Sequence, residues 1–218
     1  MYFQFLIEDK SGKILIENIM EKLGVDNTND FYECKHFHGI GGLSQKRTAK
    51  ETKTGKLLND LEIYLKGFNK SLQDVEDSVV IVVLDNDDRD TTEFRGELRR
   101  IAERCNISID HVFCIAIEEM EAWLLGDQEA ICKAYPHARL SILQKYEQDS
   151  ICGTWELLAD AVYEGGWKKL KKDCPTYFEL GGMKCEWAER IGACLEVESN
   201  KSPSFQLFIS EVRKRMSA

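Results

Sequence analysis

No apolar run in this 218-residue chain approaches the ~20 residues that a membrane-spanning helix needs. The first residues carry no basic lead, apolar stretch or small-residue cleavage site. No signal peptide is therefore expected, and the chain is read as cytoplasmic with no membrane partner. The phosphate-loop pattern G-x-x-x-x-G-K-[ST] is missing, which excludes that route to nucleotide binding. No two of the eight cysteines are separated by only two to four residues, so zinc-knuckle spacing is missing too. The cysteines read as reduced side chains acting as small hydrophobes. Spacing supports no Ser/His/Asp or Cys/His arrangement. There are no internal repeats, low-complexity tracts or familiar base-reading modules.

What is present is a chain that is 43% hydrophobic and 31% charged, enough apolar material for a packed core in one large domain or one domain with an appendage. The net charge of −9 conceals an asymmetry. Lys35, Lys46, Arg47, Lys50, Lys53 and Lys56 stand against Glu51 alone, so residues 35–56 carry +5 and the remainder −14. An acidic body repels nucleic acid, but one basic segment on it can hold phosphates locally.

Hydrophobic patterning predicts strands over 2–8, 31–37 and 79–84, and another within 106–117. Helical spacing occupies 11–23, with Ser11 as N-cap, then 57–68, 93–104 and 119–125, with a further helix starting near Asp127. The valine-rich run Val79–Leu84 reads as a central parallel strand covered on both faces. This alternation predicts a doubly wound α/β sheet of mostly parallel strands. After about Tyr135 only helices are expected, at 155–162, 167–170, 183–194 and 204–216. The expected division is an α/β domain over 1–135 and a helical C-terminal appendage over 136–218.

Three of the strand-like runs end in acid. Tyr2–Ile7 leads into Glu8-Asp9, Val79–Leu84 into Asp85-Asn86-Asp87-Asp88, and Val112–Ile117 into Glu118-Glu119-Met120-Glu121. Parallel strands would deliver all three clusters to one carboxyl edge, where open α/β sheets bind ligands. Converging carboxylates repel unless a cation lies between them, so the pattern predicts a Mg²⁺ or Mn²⁺ site. Asp85 and Asp87 face the same side if the strand continues through them. Glu119 and Glu121 can share one cation only if the strand-to-helix turn falls between them, and Glu118 can replace either. Asp88 and Asp90 are candidates for outer positions or for helix N-caps. Read singly, each acid is equally an ordinary capping or solvated residue. Their recurrence at successive strand ends carries the metal-site reading.

The loop Gly39-Ile40-Gly41-Gly42 and the basic stretch after it suggest a phosphate clamp. The glycines would let backbone N–H groups approach, and Lys46, Arg47, Lys50, Lys53 and Lys56 would hold a nucleic-acid backbone. The bland alternative is a solvated charged loop. His36 and His38, just before it, read as structural rather than catalytic.

These residues resemble the Toprim fold, shared by topoisomerases, primases, maturase-type ribonucleases and OLD-family nucleases. The resemblance rests on a glutamate after the first strand (Glu8) and a D-x-D after a later one (Asp85-Asn86-Asp87). More narrowly, the chain is similar to the Toprim-like proteins grouped as DUF4276 and to the RloB-like proteins. Here the resemblance lies in Ile7-Glu8-Asp9-Lys10-Ser11-Gly12, Glu119-Met120-Glu121-Ala122-Trp123-Leu124-Leu125 and Lys201-Ser202-Pro203-Ser204-Phe205. Two departures stand out. Asp9 replaces the usual glycine after the first glutamate, and Asp88-Arg89-Asp90 replaces the glycine that often follows the D-x-D.

The resemblance implies Mg²⁺-dependent phosphoryl transfer. Glu8 would be general base or metal ligand, Asp85 and Asp87 metal ligands, and Glu121, with Glu119, would complete the site. It also implies an ATPase partner and a setting in phage defence. The expected function is a metal-dependent nuclease acting on DNA or RNA. The alternatives are a non-catalytic or partner-activated subunit of an ATPase-linked complex, and a phosphoryl-transfer enzyme acting on a nucleotide or small phosphoester.

Overall fold

The computed structural model describes residues 1–25, 30–42 and 55–216. Its sheet contains β1 (Tyr2–Ile7), β2 (Phe31–His36), β3 (Ser78–Asp85) and β4 (Asp110–Ala116), in the order β2-β1-β3-β4. All pairings are parallel. Helix α1 (Lys10–Lys22) joins β1 to β2, α2 (Leu57–Ser71) precedes β3, and α3 (Thr91–Cys105) joins β3 to β4.

The two-residue period of β3 explains why both faces are covered. Val79, Ile81 and Val83 enter one core with Phe3, Phe5 and Ile7 of β1 and Leu15, Ile16 and Ile19 of α1. Val80, Val82 and Leu84 enter the other, beneath Leu57, Leu61 and Leu65 of α2 and Phe94 and Leu98 of α3. The doubly wound α/β arrangement expected from the alternation is therefore the one that forms. β2 is an edge strand whose side chains alternate between exposed and partly buried.

Beyond β4 the described chain is helical: α4 (Glu121–Leu125), α5 (Gln128–Ala134), α6 (Leu140–Leu143), α7 (Thr154–Val162), α8 (Gly166–Asp173), α9 (Tyr177–Cys194) and α10 (Pro203–Met216). Trp123, Trp187, Phe205 and Phe208 from these helices share one continuous core with β1 and α1. No helix among the described residues is long and apolar enough to cross a membrane.

Two local expectations change. Asp9, not Ser11, caps α1: its carboxylate accepts from the Gly12 N–H at 2.8 Å, and the Ser11 hydroxyl donates to it instead. Helix α9 starts at Tyr177, six residues before the expected Met183. Its first turns carry exposed Tyr177 and Phe178 and the pair Gly181-Gly182, which hide the helical periodicity. A capping box between Thr176 and Glu179 sets the start instead.

Candidate functional site

The order β2-β1-β3-β4 places a topological switch point between β1 and β3. From β1 the chain runs to a neighbour on one side, then returns to add β3 on the other. Ligands of open α/β sheets bind outside the carboxyl ends of the strands at this point. Glu8 follows β1 and Asp85 ends β3, so the two carboxylates stand on either side of the switch.

Glu8 does not cap α1, since Asp9 takes that role. The Glu8 Oε2 instead accepts from the Asp85 backbone N–H at 3.1 Å. Asp85 Oδ1 is sealed from solvent and has no hydrogen-bond partner. Burial, reinforced by Glu8, Asp9 and Glu121, holds the Asp85 carboxyl well above the usual carboxylate range. Burial pushes Glu8 up to about 8, and the nearby charges of Asp87 and Asp9 add to the rise.

The third cluster converges as the turn condition requires. β4 stops at Ala116 and α4 begins at Glu121, so the strand-to-helix turn separates Glu119 from Glu121. Both meet the ammonium of Lys184 from α9, at 3.2 and 3.3 Å. Burial raises Glu121, and burial with the Glu121 charge raises Glu119 to about 7. Burial alone would depress Lys184, but Glu121, Glu119, Asp85 and Asp9 outweigh it and hold the ammonium firmly protonated. Lys184 escaped the sequence reading because it lies about 60 residues from either glutamate in the chain, in a helix with no motif of its own.

Asp87 takes another course. β3 ends at Asp85, and Asp87 adopts a left-handed conformation with φ 50°. The strand does not continue, so Asp85 and Asp87 do not share a strand face. Asp87 pairs with Arg89 at 2.6 Å, while its charge still reaches Glu8. The residue between them, Asn86, is fully buried. It donates to the Arg89 carbonyl and the Thr91 hydroxyl and accepts from the Glu118 N–H at 2.5 Å. Asn86 thus pins the end of β3 to the turn after β4. Asp90 is the N-cap of α3.

Glu118 belongs to the frame. Its carboxylate accepts from the N–H groups of Cys152, Gly153 and Thr154 at the start of α7. Glu118→Ala leaves these donors without their acceptor and is expected to destabilise the protein by about 1–2 kcal/mol in urea unfolding. The motif Lys201–Phe205 is also a brace. The Trp123 indole donates to Ser204, the Asn200 amide donates to the Trp123 carbonyl, and Ser202 and Ser204 bind Asp149. These bonds hold α4, and with it Glu121, against α10.

The glycine loop is occupied by its own fold. The Gly39 N–H donates to the Glu8 carbonyl and the Gly42 N–H to the Asn59 side chain, so these two N–H groups do not point outward as a phosphate cradle. The Lys56 ammonium donates to the His38 carbonyl beside this loop. Lys46, Arg47, Lys50 and Lys53 lie outside the described residues.

Hard oxygen donors, one of them a sealed and unpartnered carboxylate oxygen, suit Mg²⁺ or Mn²⁺ in kind. As placed, the described residues contain no group of three or more His, Cys, Asp or Glu side chains assembled for a metal ion, and the Lys184 ammonium supplies the positive charge. No family model, curated protein or solved structure matches this chain.

Proposed function

We propose that the chain is a metal-dependent phosphodiesterase of Toprim type, a nuclease acting at the carboxyl edge of β1 and β3. One observation carries this reading. The Glu8 carboxylate is bonded to the backbone N–H of Asp85 across the switch point, and Asp85 Oδ1 beside it is sealed from solvent and unpartnered. Such crowding is unfavourable for folding, and titratable groups perturbed in this way concentrate at functional sites. Glu8, Asp85 and Glu121 would hold Mg²⁺ or Mn²⁺, with Glu119 and Asp87 at the margin. When bound, the cation supplies Lewis-acid stabilisation of charge on the phosphoryl group. Glu8 would be a metal ligand or the general base; its rise to about 8 belongs to the metal-free site, and a bound cation would lower it. Lys184 balances the acidic cluster and offers a positive charge to a phosphate. The basic segment with Lys46, Arg47, Lys50, Lys53 and Lys56 would grip the nucleic-acid backbone.

A second reading is a partner-activated Toprim subunit of an ATPase-linked complex. It is favoured by Lys184, whose single ammonium already pairs with both Glu119 and Glu121, as in a site at rest. Titration with Mg²⁺ and Mn²⁺ against labelled DNA and RNA separates the two. Metal-dependent cleavage is expected under the first reading. A rise in Tm with metal but no cleavage transfers the site to the second, and no response to metal removes both.

A further inference from the structure

The lysine-rich α8 is followed, three residues later, by the exposed aromatic first turn of α9. Residues 166–173 read Gly-Trp-Lys-Lys-Leu-Lys-Lys-Asp, four lysines and one acid in an otherwise acidic protein. Leu170 anchors the helix in the core, while all four lysines are exposed. Lys169 is drawn to Asp173 at 3.9 Å; Lys168, Lys171 and Lys172 form no ion pair with described residues. The ammonium groups of Lys168 and Lys171 lie 5.8 and 6.0 Å from the Trp167 ring. Five residues after Lys172, the capping box fixes Tyr177 and Phe178 at the start of α9, with 78% and 88% of their surfaces exposed. An isolated exposed ring is ordinary. Two adjacent rings at the capped start of a helix, three residues in the chain beyond α8 and its lysines, are left open to solvent.

This surface adjoins the acidic edge. The Tyr177 hydroxyl lies 3.8 Å from where a Cβ on Gly39 would stand, and the Gly39 N–H binds the Glu8 carbonyl. On the other flank, the Trp167 ring meets Trp155 edge-on at 6.5 Å, in the first turn of the helix that Glu118 caps.

We propose that α8 and the start of α9 bind single-stranded nucleic acid, with bases stacked on Tyr177 and Phe178 and phosphates lying along Lys168, Lys171 and Lys172. The phosphodiesterase reading supplies only the destination of that strand. A duplex offers phosphates but keeps its base faces covered, so lysines alone would serve either form. The rings favour the form whose bases can turn outward.

The test is fluorescence anisotropy with labelled single-stranded oligothymidine and with the same strand annealed to oligoadenine, in EDTA. The wild type is expected to prefer the single strand. Phe178→Ala, at a position too exposed to disturb folding, is expected to weaken single-strand binding about tenfold and leave duplex binding unchanged. Replacing Lys168, Lys171 and Lys172 by glutamine is expected to reduce the slope of log affinity against log salt by about 2. Equal affinity for strand and duplex, or an unchanged strand affinity in Phe178→Ala, overturns the proposal. Binding is read without divalent metal, so the two claims fail separately. Strand binding that needs Phe178, without metal-dependent cleavage, leaves the surface and removes the enzyme. Cleavage with no effect of Phe178→Ala on affinity does the reverse.

Discussion

Asp85→Asn is expected to abolish metal-dependent cleavage, by about 10³-fold or more if the carboxylate is a ligand, and at the same time to raise the melting temperature at pH 8 by a few degrees. The two effects have one cause. Asp85 is crowded by Glu8, Asp9 and Glu121, and its Oδ1 has no partner in the fold. An amide keeps the shape and removes the charge, which relieves its neighbours and withdraws the oxygen a cation would need. Cleavage assays beside thermal melts at pH 8 measure both effects. Retained cleavage would remove Asp85 from the site. A lowered melting temperature would show that the carboxylate is a structural asset rather than a strained one.

The sign of the pH dependence follows from the same cluster. Glu8 and Glu119 have folded-state values of about 8 and 7, above their ordinary value of 4.5. For groups raised in this way, stability is fully present below the unfolded value and is lost as pH rises through the folded one. Without divalent metal, the wild type is therefore expected to lose stability between about pH 4.5 and 8, and Asp85→Asn to lose less.

Lys184→Met is expected to have the largest effect on stability. Methionine keeps an unbranched side chain, one atom shorter, and leaves Glu119 and Glu121 without their cation. Glu121 is almost fully buried and Glu119 largely so. Breaking a buried pair in this way is expected to destabilise the protein by about 3 kcal/mol at pH 8. The penalty should shrink toward pH 5, where both glutamates can be protonated. Chemical unfolding at the two pH values checks this, and an equal loss at both would point to packing rather than charge. Mg²⁺ should stabilise the variant more than the wild type, because the competing ammonium is gone. Equal stabilisation of the two proteins would place Lys184 outside any cation site.

Much of the architecture was legible in the chain because its signals are local. Val79–Leu84 is apolar at every position and rich in valine, which reads as a strand buried on both faces, and it proved to be one. The helical spacing of Leu57, Leu58, Leu61 and Leu65 marked α2 for the same reason. The acidic strand ends were legible as a pattern, but their roles were not. Glu118, Glu119 and Glu121 look alike in sequence. Only the turn after β4 makes Glu118 a helix cap and sends the other two to Lys184. Asp87 looked equivalent to Asp85, and the left-handed turn at Asp87 separates them.

The doubly wound sheet and the gathering of acids at its carboxyl edge are written in contiguous residues. Strand direction and hydrophobic period are properties of contiguous residues, and parallel strands necessarily share an edge. Which acids face one another, the place of Lys184 among them, and the exposure of Tyr177 and Phe178 beside the β1 end of that edge are set by long-range packing. Those facts depend on side chains brought together across tens of residues, through packing that no local period encodes.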